Sequence, residues 1–201
     1  MVNPDKIFGR LSNRMFIMAA HYAWTKENNI PFFVQDEKYF KKYEKEIKEL
    51  YGYDISPKID KVAIHVRRAG NPLNQYEPKY SENPFYVDLG HHSHETIQDN
   101  YYVRAMAIFP NEKFLIFSDD IKWCKESLLF KGCDFSEGKS EVEDMNLMAS
   151  CKHQIIGNSS FSWWAAYLNK NPDKIVVAPK KWFAKDEDDY LIGIPPEWLR
   201  I

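Results

Sequence analysis

The sequence lacks any apolar run near the roughly 20 residues that a membrane-spanning helix needs. Residues 1–6 also lack the apolar core of a signal peptide. Cysteine is scarce, and the spacing of Cys124, Cys133 and Cys151 fits neither a disulfide framework nor a zinc site. We therefore expect a cytoplasmic protein with reduced thiols and no membrane span or N-terminal anchor.

Several common ligand signatures are missing too. The chain has no Walker-type phosphate loop, no GxGxxG and no HExxH motif. With 27 basic and 29 acidic residues, it has no basic excess that would attract nucleic acid, so we expect no nucleic-acid partner. The 201 residues contain no internal repeat or low-complexity tract and suffice for one core or two small lobes.

Short apolar segments alternate with helical patterns along most of the chain. This alternation predicts an α/β fold with a parallel sheet and crossover helices. Residues 69–98 show no periodicity and are interpreted as a functional or disordered loop. Strands are expected at 31–34, 62–66, 114–117, 154–157 and 174–178, and helices at 11–27, 36–54, 101–109, 120–130, 142–151 and 162–169.

One polar turn joins the strand at 154–157 to a helix through Asn158, Ser159, Ser160 and Phe161. Ligands of open α/β sheets bind at such carboxyl ends of strands. The first amides of a helix lack internal partners, and the helix dipole places partial positive charge there. The hydroxyls and amides together indicate a phosphate cradle. The alternative is that Ser159 or Ser160 merely caps the helix.

A second motif, containing His65, Arg67 and Arg68, ends the strand at 62–66. Arginines leaving a buried strand are costly unless their charge is used or solvated, and their planar fork of donors matches phosphate. Alternatively, one arginine points to water, the other forms an ordinary ion pair, and His65 is a core histidine. Two anion sites at strand ends would suit a diphosphate.

The acidic and histidine clusters have simpler explanations than metal binding. Asp119 and Asp120 follow a strand, where helix capping is the favoured interpretation. Residues 91–95 contain three histidines but no helix or strand to preorganise them, which favours a solvated loop. Glu143 and Asp144 open a helix, where the dipole favours acids. We therefore expect no metal cofactor.

Several segments together resemble the bacterial α-1,2-fucosyltransferase family, in the family's own order. This family belongs to a wider group of inverting fucosyltransferases, including α-1,6 and protein O-linked types, that share the arginine motif. The most specific run is the last. The segments are GRLSNRMF at 9–16, HVRR at 65–68, FSDD at 117–120, and DMNLMASC at 144–151 leading to NSSFSWWAA at 158–166, followed by VAP at 177–179 and WF at 182–183.

The resemblance implies a GT-B architecture with a reduced N-terminal, acceptor-side lobe at 1–60 and a Rossmann-like donor lobe at 61–201. It further implies inverting transfer of L-fucose from GDP-fucose to a glycan hydroxyl, α-1,2 to a galactoside, without a metal. Arg67 would hold the β-phosphate as the catalytic residue, and Asp144 would accept hydrogen bonds from guanine. The donor-binding residues implied are Asn13, His65, Arg67, Arg68, Asp144, Asn158, Ser159, Ser160 and Phe161.

Two departures from the family pattern bear on these expectations. The arginine motif usually continues Gly-Asp-Tyr, but residues 69–71 read Ala-Gly-Asn, so that acid is absent. The lobe preceding the motif is also short. The general base is left open among Asp36, Glu82, Asp88 and His91. Alternatives are a transferase for another GDP-sugar, a degenerate nucleotide- or glycan-binding module, and an interaction protein without a ligand.

Overall fold

The computed structural model describes Met15 and residues 59–68, 101–182 and 194–201. The chain divides into two compact units, Met1–Asp54 and Ile55–Ile201, and the second holds every described residue except Met15. Met15 is helical and fully buried. The other predictions for residues 11–54, and the loop at 69–98, lie outside the described residues. The lobes at 1–60 and 61–201 remain a prediction.

The described part of the second unit forms a six-stranded parallel sheet, which confirms the predicted α/β class. Its order, β3-β2-β1-β4-β5-β6, is Rossmann-like, and the direction of winding reverses between β1 and β4. Ligands of such sheets bind at the carboxyl ends of the strands flanking this reversal. The strands are β1 (Ile59–Val66), β2 (Phe114–Ser118), β3 (Asp134–Phe135), β4 (Cys151–Ile155), β5 (Val176–Ala178) and β6 (Leu199–Arg200).

Four helices connect these strands, at the four places predicted within the described ranges. They are α1 (Tyr101–Ala107), α2 (Ile121–Glu126), α3 (Glu141–Ala149) and α4 (Ser160–Leu168). The helix predicted over 120–130 is wrong in its second half. Ser127 adopts an extended conformation that ends α2, and its Oγ accepts from the Leu129 amide to begin a short 3-10 helix, Leu128–Phe130.

Other boundaries differ from those predicted by a few residues. The helix predicted over 142–151 ends at Ala149, because Cys151 already begins β4. The strand predicted at 154–157 spans Cys151–Ile155, so it begins three residues earlier and ends two residues earlier than predicted. The helix predicted at 162–169 begins at Ser160. The strand predicted from 174 begins at Val176.

The three central strands share a buried row of isoleucines. Ile64 of β1 pairs in register with Ile116 of β2 and with Ile155 of β4, and all three side chains are fully buried. β1 is buried on both faces from Val62 to Val66, as expected for a parallel strand covered by helices on each side. This packing gives the carboxyl ends of β1, β2 and β4 a rigid base.

Candidate functional site

The two predicted anion-binding motifs meet at the reversal point of the sheet. His65 is the next-to-last residue of β1, while Phe161 lies in the first turn of α4, just after β4. The two rings are in contact, with centroids 5.2 Å apart. Since β1 and β4 are paired neighbours, both motifs leave the same edge of the sheet.

Gly157 permits the close approach of these two motifs. A Cβ at this position would lie 3.0 Å from the His65 carbonyl oxygen and 3.2 Å from the Tyr102 hydroxyl. The first of these atoms belongs to the backbone of a central strand and cannot move aside easily. The turn after β4 therefore requires glycine here in order to pack against the end of β1.

Two tyrosines of α1 fix the strand ends beneath the site. The Tyr102 hydroxyl donates to the His65 carbonyl at 3.2 Å. The Tyr101 hydroxyl donates to the Ile156 carbonyl at 2.7 Å and lies 3.0 Å from that of Val177. Burial raises the pKa of Tyr101 well above its usual value, so this hydroxyl stays protonated and remains a donor. One helix thus holds the ends of β1, β4 and β5.

The amino end of α4 carries features expected of an anion site. Ser159 occupies the N-cap position, yet its side chain makes no capping hydrogen bond, contrary to the simple capping alternative for this residue. The first turn contains no acidic residue to offset the helix dipole. Ser162 Oγ instead lies 3.1 Å from the Ser159 carbonyl and 3.3 Å from that of Gly157, which stabilises the turn from below.

Asn158 has a structural contact of its own. Its side chain is fully buried, and Nδ2 donates to the Trp182 carbonyl at 3.2 Å. This bond ties the turn after β4 to the segment that follows β5. A direct contact between Asn158 and a donor molecule remains a prediction.

Arg67 faces an acidic partner that the sequence analysis did not place in the site. Its guanidinium Nη1 pairs with Asp119 Oδ2, and the two side chains are only 15% and 17% exposed. Asp119 Oδ1 also accepts from the Arg68 amide at 2.9 Å. Asp119 reaches this position because β2 lies beside β1, with Val66 paired to Ser118. The neighbouring Asp120 caps α2 through the Trp123 amide, as predicted.

Arg68 is buried rather than solvated. The carbon at the centre of its guanidinium lies 3.8 Å from the centroid of the Trp123 ring, and its Nε lies 3.5 Å from Asp120 Oδ2. A cation–π contact and a carboxylate therefore offset its charge. The alternative in which one arginine points to water is thus wrong, since each arginine faces an aspartate. A contact between Arg68 and the donor stays a prediction.

Asp144 lies in the first turn of α3 but does not cap it. The N-cap is Ser140, which forms a reciprocal capping box with Glu143. Hydrogen bonds from the Ser140 amide and hydroxyl lower the pKa of Glu143. Asp144 Oδ1 instead accepts from Ser136 Oγ at 2.6 Å, and the Ser136 amide donates to the Ile116 carbonyl at 2.9 Å. Asp144 is therefore linked to the middle of β2, through a serine that the sequence analysis missed.

Residues 20–200 match the model of glycosyl transferase family 11. The chain belongs to this family. The resemblance to α-1,2-fucosyltransferases inferred from the motifs is therefore confirmed at the level of the family. No solved structure matches the chain.

Curated relatives of this family 11 chain are longer than the chain itself. An alpha-1,2-colitosyltransferase of Escherichia coli is 31% identical over 189 residues, which cover 84% of this chain and 61% of the relative. The O-antigen biosynthesis glycosyltransferase WbnK of Escherichia coli is 32% identical over 150 residues, 71% of this chain and 45% of the relative. The galactoside 2-alpha-L-fucosyltransferase Sec1 of Mus musculus is 31% identical over 111 residues, which cover 49% of this chain and 28% of the relative.

The remaining predictions for this family 11 chain concern metal, thiols and membranes. The described ranges contain no cluster of three metal-ligating side chains, and none of their helices is long and apolar enough to cross a membrane. The three cysteines are unpaired as predicted, and burial raises the pKa of Cys124 to about 11 and of Cys151 to about 12. Asn13, the four candidate bases and the cluster at 91–95 lie outside the described residues.

Proposed function

We propose that this family 11 chain transfers L-fucose from GDP-fucose to a hydroxyl of a glycan acceptor, α-1,2 to a galactoside, with inversion. The observation that carries the proposal is the contact between the motif that contains Arg67 and the amino end of α4, made by the His65 and Phe161 rings at the reversal point of a Rossmann-like sheet. A GT-B arrangement, with the acceptor bound on the side of residues 1–60, is part of the proposal.

The proposed reaction breaks the bond between the fucose anomeric carbon and the diphosphate oxygen. Negative charge then grows on the departing GDP. The guanidinium of Arg67 and the first amides of α4 stabilise that charge, and because both are held in place beforehand they need no reorganisation during the step. The acceptor hydroxyl attacks the opposite face of the sugar, and its proton passes to a general base, for which Asp36, Glu82, Asp88 and His91 are the candidates. No divalent ion is required in this scheme, since fixed positive charge and amide dipoles act on the diphosphate.

Asp144 is proposed to read the nucleotide base. A carboxylate accepts two N–H bonds from the guanine edge, a pair of donors that adenine does not offer. Its hydrogen bond from Ser136 supports this role, because it fixes the direction of the carboxylate without using the helix cap. GDP is therefore the expected leaving group.

A second candidate is transfer of a different deoxyhexose from its GDP-linked form. The observation that favours it is the match to an alpha-1,2-colitosyltransferase over 84% of this chain. The donor site described above contacts the diphosphate and the base, so the same residues serve either sugar. A degenerate module that binds nucleotide without turnover is the third candidate, because residues 69–71 lack the expected acid.

Calorimetry combined with a donor assay separates these candidates. We expect GDP to bind more tightly than UDP or ADP, and GDP-fucose to release GDP when galactosides are supplied. Release of GDP only from another GDP-deoxyhexose would select the second candidate. Tight GDP binding without turnover of any donor would select the third. A chain that binds no GDP would overturn the proposal as a whole.

A further inference from the structure

The arginine pair and the aspartate pair of this chain are matched by the register of the sheet. β1 and β2 are parallel, and their last paired residues are Val66 and Ser118. The next two residues are arginines on one strand and aspartates on the other. Arg67 pairs with Asp119, and Arg68 lies against Asp120. Two charge pairs therefore continue the strand pairing beyond the last residues of the strands.

The two charge pairs differ in what else their arginines contact. Arg68 lies on the Trp123 ring, and its partner Asp120 accepts the Trp123 amide at the start of α2. That pair fastens α2 to β1 and has a structural explanation. Arg67 pairs with Asp119 at the carboxyl end of β1, the edge of the sheet from which the turn after β4 also leaves.

Asp119 is itself held by the backbone. One of its oxygens accepts the Arg68 amide at 2.9 Å, and the other pairs with the Arg67 guanidinium. Because the hydrogen bond from the Arg68 amide fixes the carboxylate, the position of Asp119 does not depend on a bound ligand. A guanidinium has five N–H donors, more than one carboxylate can accept, so the pair with Asp119 is compatible with a second anion.

We propose that Asp119 is a positioning residue, which holds the Arg67 guanidinium in the orientation that binds the donor diphosphate. The inference rests on the proposed function, in which Arg67 contacts that diphosphate. Asp119 itself does not touch the donor. Its effect on binding passes entirely through Arg67, because an arginine side chain loses less freedom on binding when it is already oriented.

Asp119→Asn is the variant that tests this role. Asparagine keeps the volume and an oxygen that accepts the Arg68 amide, but it removes the charge that orients Arg67. Inorganic pyrophosphate is the probe, because it contains neither guanine nor fucose. We expect its affinity to fall about tenfold, the lower range for losing one charge-assisted hydrogen bond. The KM for the sugar donor should rise together with a fall in kcat. The melting temperature should fall as well, because the largely buried Arg67 loses the carboxylate that offsets its charge, so affinities are compared at a temperature at which both proteins are folded.

Asp134→Asn is the matched control. Asp134 lies on β3, which is the neighbour of β2. It pairs with Lys61 of β1 at 2.9 Å, and its side chain is 59% exposed. The same chemical change there should leave pyrophosphate affinity and turnover unaltered. A similar loss in both variants would mean that general surface charge, and not orientation of Arg67, controls binding.

A double-mutant cycle decides whether Asp119 acts through Arg67. In the Arg67→Ala background, Asp119→Asn should have no further effect on pyrophosphate binding. Full additivity of the two changes would overturn the inference. Tighter binding by Asp119→Asn would overturn it too, since Asp119 would then compete with the diphosphate for Arg67.

The same measurements separate this inference from the proposed function. If the wild-type chain turns over GDP-fucose while Asp119→Asn binds pyrophosphate normally, the function stands and the inference fails. If pyrophosphate binding depends on Asp119 and Arg67 but no GDP-sugar is turned over, the inference stands and the function fails. A wild-type chain that binds no pyrophosphate overturns the inference, and the donor assay then decides the function alone.

Discussion

In the proposed donor site, the end of β1 and the turn after β4 would bind the same kind of ligand, an anion, by opposite means. The end of β1 carries full charges, and each of its arginines is matched by an aspartate from β2. The turn after β4 is neutral, with Gly157 and Asn158 buried in it and no acid in the first turn of α4. A buried arginine needs an opposite charge beside it even without a ligand. The backbone amides at the amino end of a helix are neutral and need only the correct orientation toward an anion. The charged half is therefore sensitive to changes in charge, and the neutral half to changes in volume.

Arg67→Ala tests the charged half and should have the largest effect. We expect kcat/KM to fall about a hundredfold or more, the usual result of removing a donor that stabilises transition-state charge. Arg67→Lys should restore only part of the activity, because an ammonium lacks the planar fork. Steady-state kinetics of both variants measures this. Arg104→Ala, an exposed arginine on α1, is the control and should behave as wild type. Near-normal turnover of Arg67→Ala would remove this residue from the mechanism.

Gly157→Ala tests the neutral half through volume alone. The added methyl would lie 3.0 Å from the His65 carbonyl, so we expect a loss of about 1–3 kcal/mol of unfolding free energy and weaker GDP binding. Gly138→Ala provides the comparison, since Gly138 has a φ of 68° but no atom within 4 Å of its Cβ position. That variant should lose about 1 kcal/mol through backbone strain and bind GDP normally. Denaturant titration and calorimetry measure both quantities, and unchanged GDP affinity in Gly157→Ala would contradict the assignment of this turn.

Asp144→Ala extends the comparison to the outer end of the site. We expect the preference for GDP over ADP to be lost, because the variant lacks the carboxylate that is proposed to pair with guanine. Ser136→Ala should reduce the same preference less, since it removes only the bond that orients Asp144. Titration of each variant with both nucleotides is the measurement.

Glu141→Ala is the control for Asp144, because Glu141 lies in the same first turn of α3. It should lose about 0.3–1 kcal/mol through the helix dipole and keep the preference for GDP. If Asp144→Ala behaves in the same way, the guanine assignment is wrong, and with it the main reason for expecting a GDP-linked donor.

Chelation should have the smallest effect of all. The two adjacent acids of the described site are already engaged, Asp119 with Arg67 and Asp120 with the amino end of α2. We therefore expect turnover in EDTA to equal turnover in untreated buffer. Activity that disappears in EDTA and returns with magnesium or manganese would assign these aspartates, or the histidines at 91–95, a role in binding metal.

Local sequence signals predicted the long elements and the strand-end motifs. The apolar run at 62–66 identified β1, and the polar turn after β4 identified α4 although not its first two residues, because each signal depends on a few adjacent residues. Local signals do not predict how the strands pair. The contact between Arg67 and Asp119 depends on the register of β1 with β2, and no local pattern encodes that register.

Short or bent elements escaped prediction for a related reason. β3 and β6 have two residues each, too few for any periodicity, and parallel neighbours alone define them. The break at Ser127 depends on the choice between continuing a helix and capping the next turn with a hydroxyl. Ser136 carried no motif of its own, since its importance comes from its hydrogen bond to the Asp144 carboxylate of α3.

The pairing of β1 with β4 has a consequence for how the chain folds. Ile64 and Ile155 are neighbours although roughly ninety residues separate them, so a large loop must close before they meet. The proposed donor site at the carboxyl ends of these strands thus does not exist in any fragment that contains only one of them. A nucleotide bound at the proposed site should therefore bind only chains in which this distant pairing is complete, and it should stabilise those chains by mass action. Nucleotide binding during refolding should consequently appear late, after helix formation, and report the closing of the sheet.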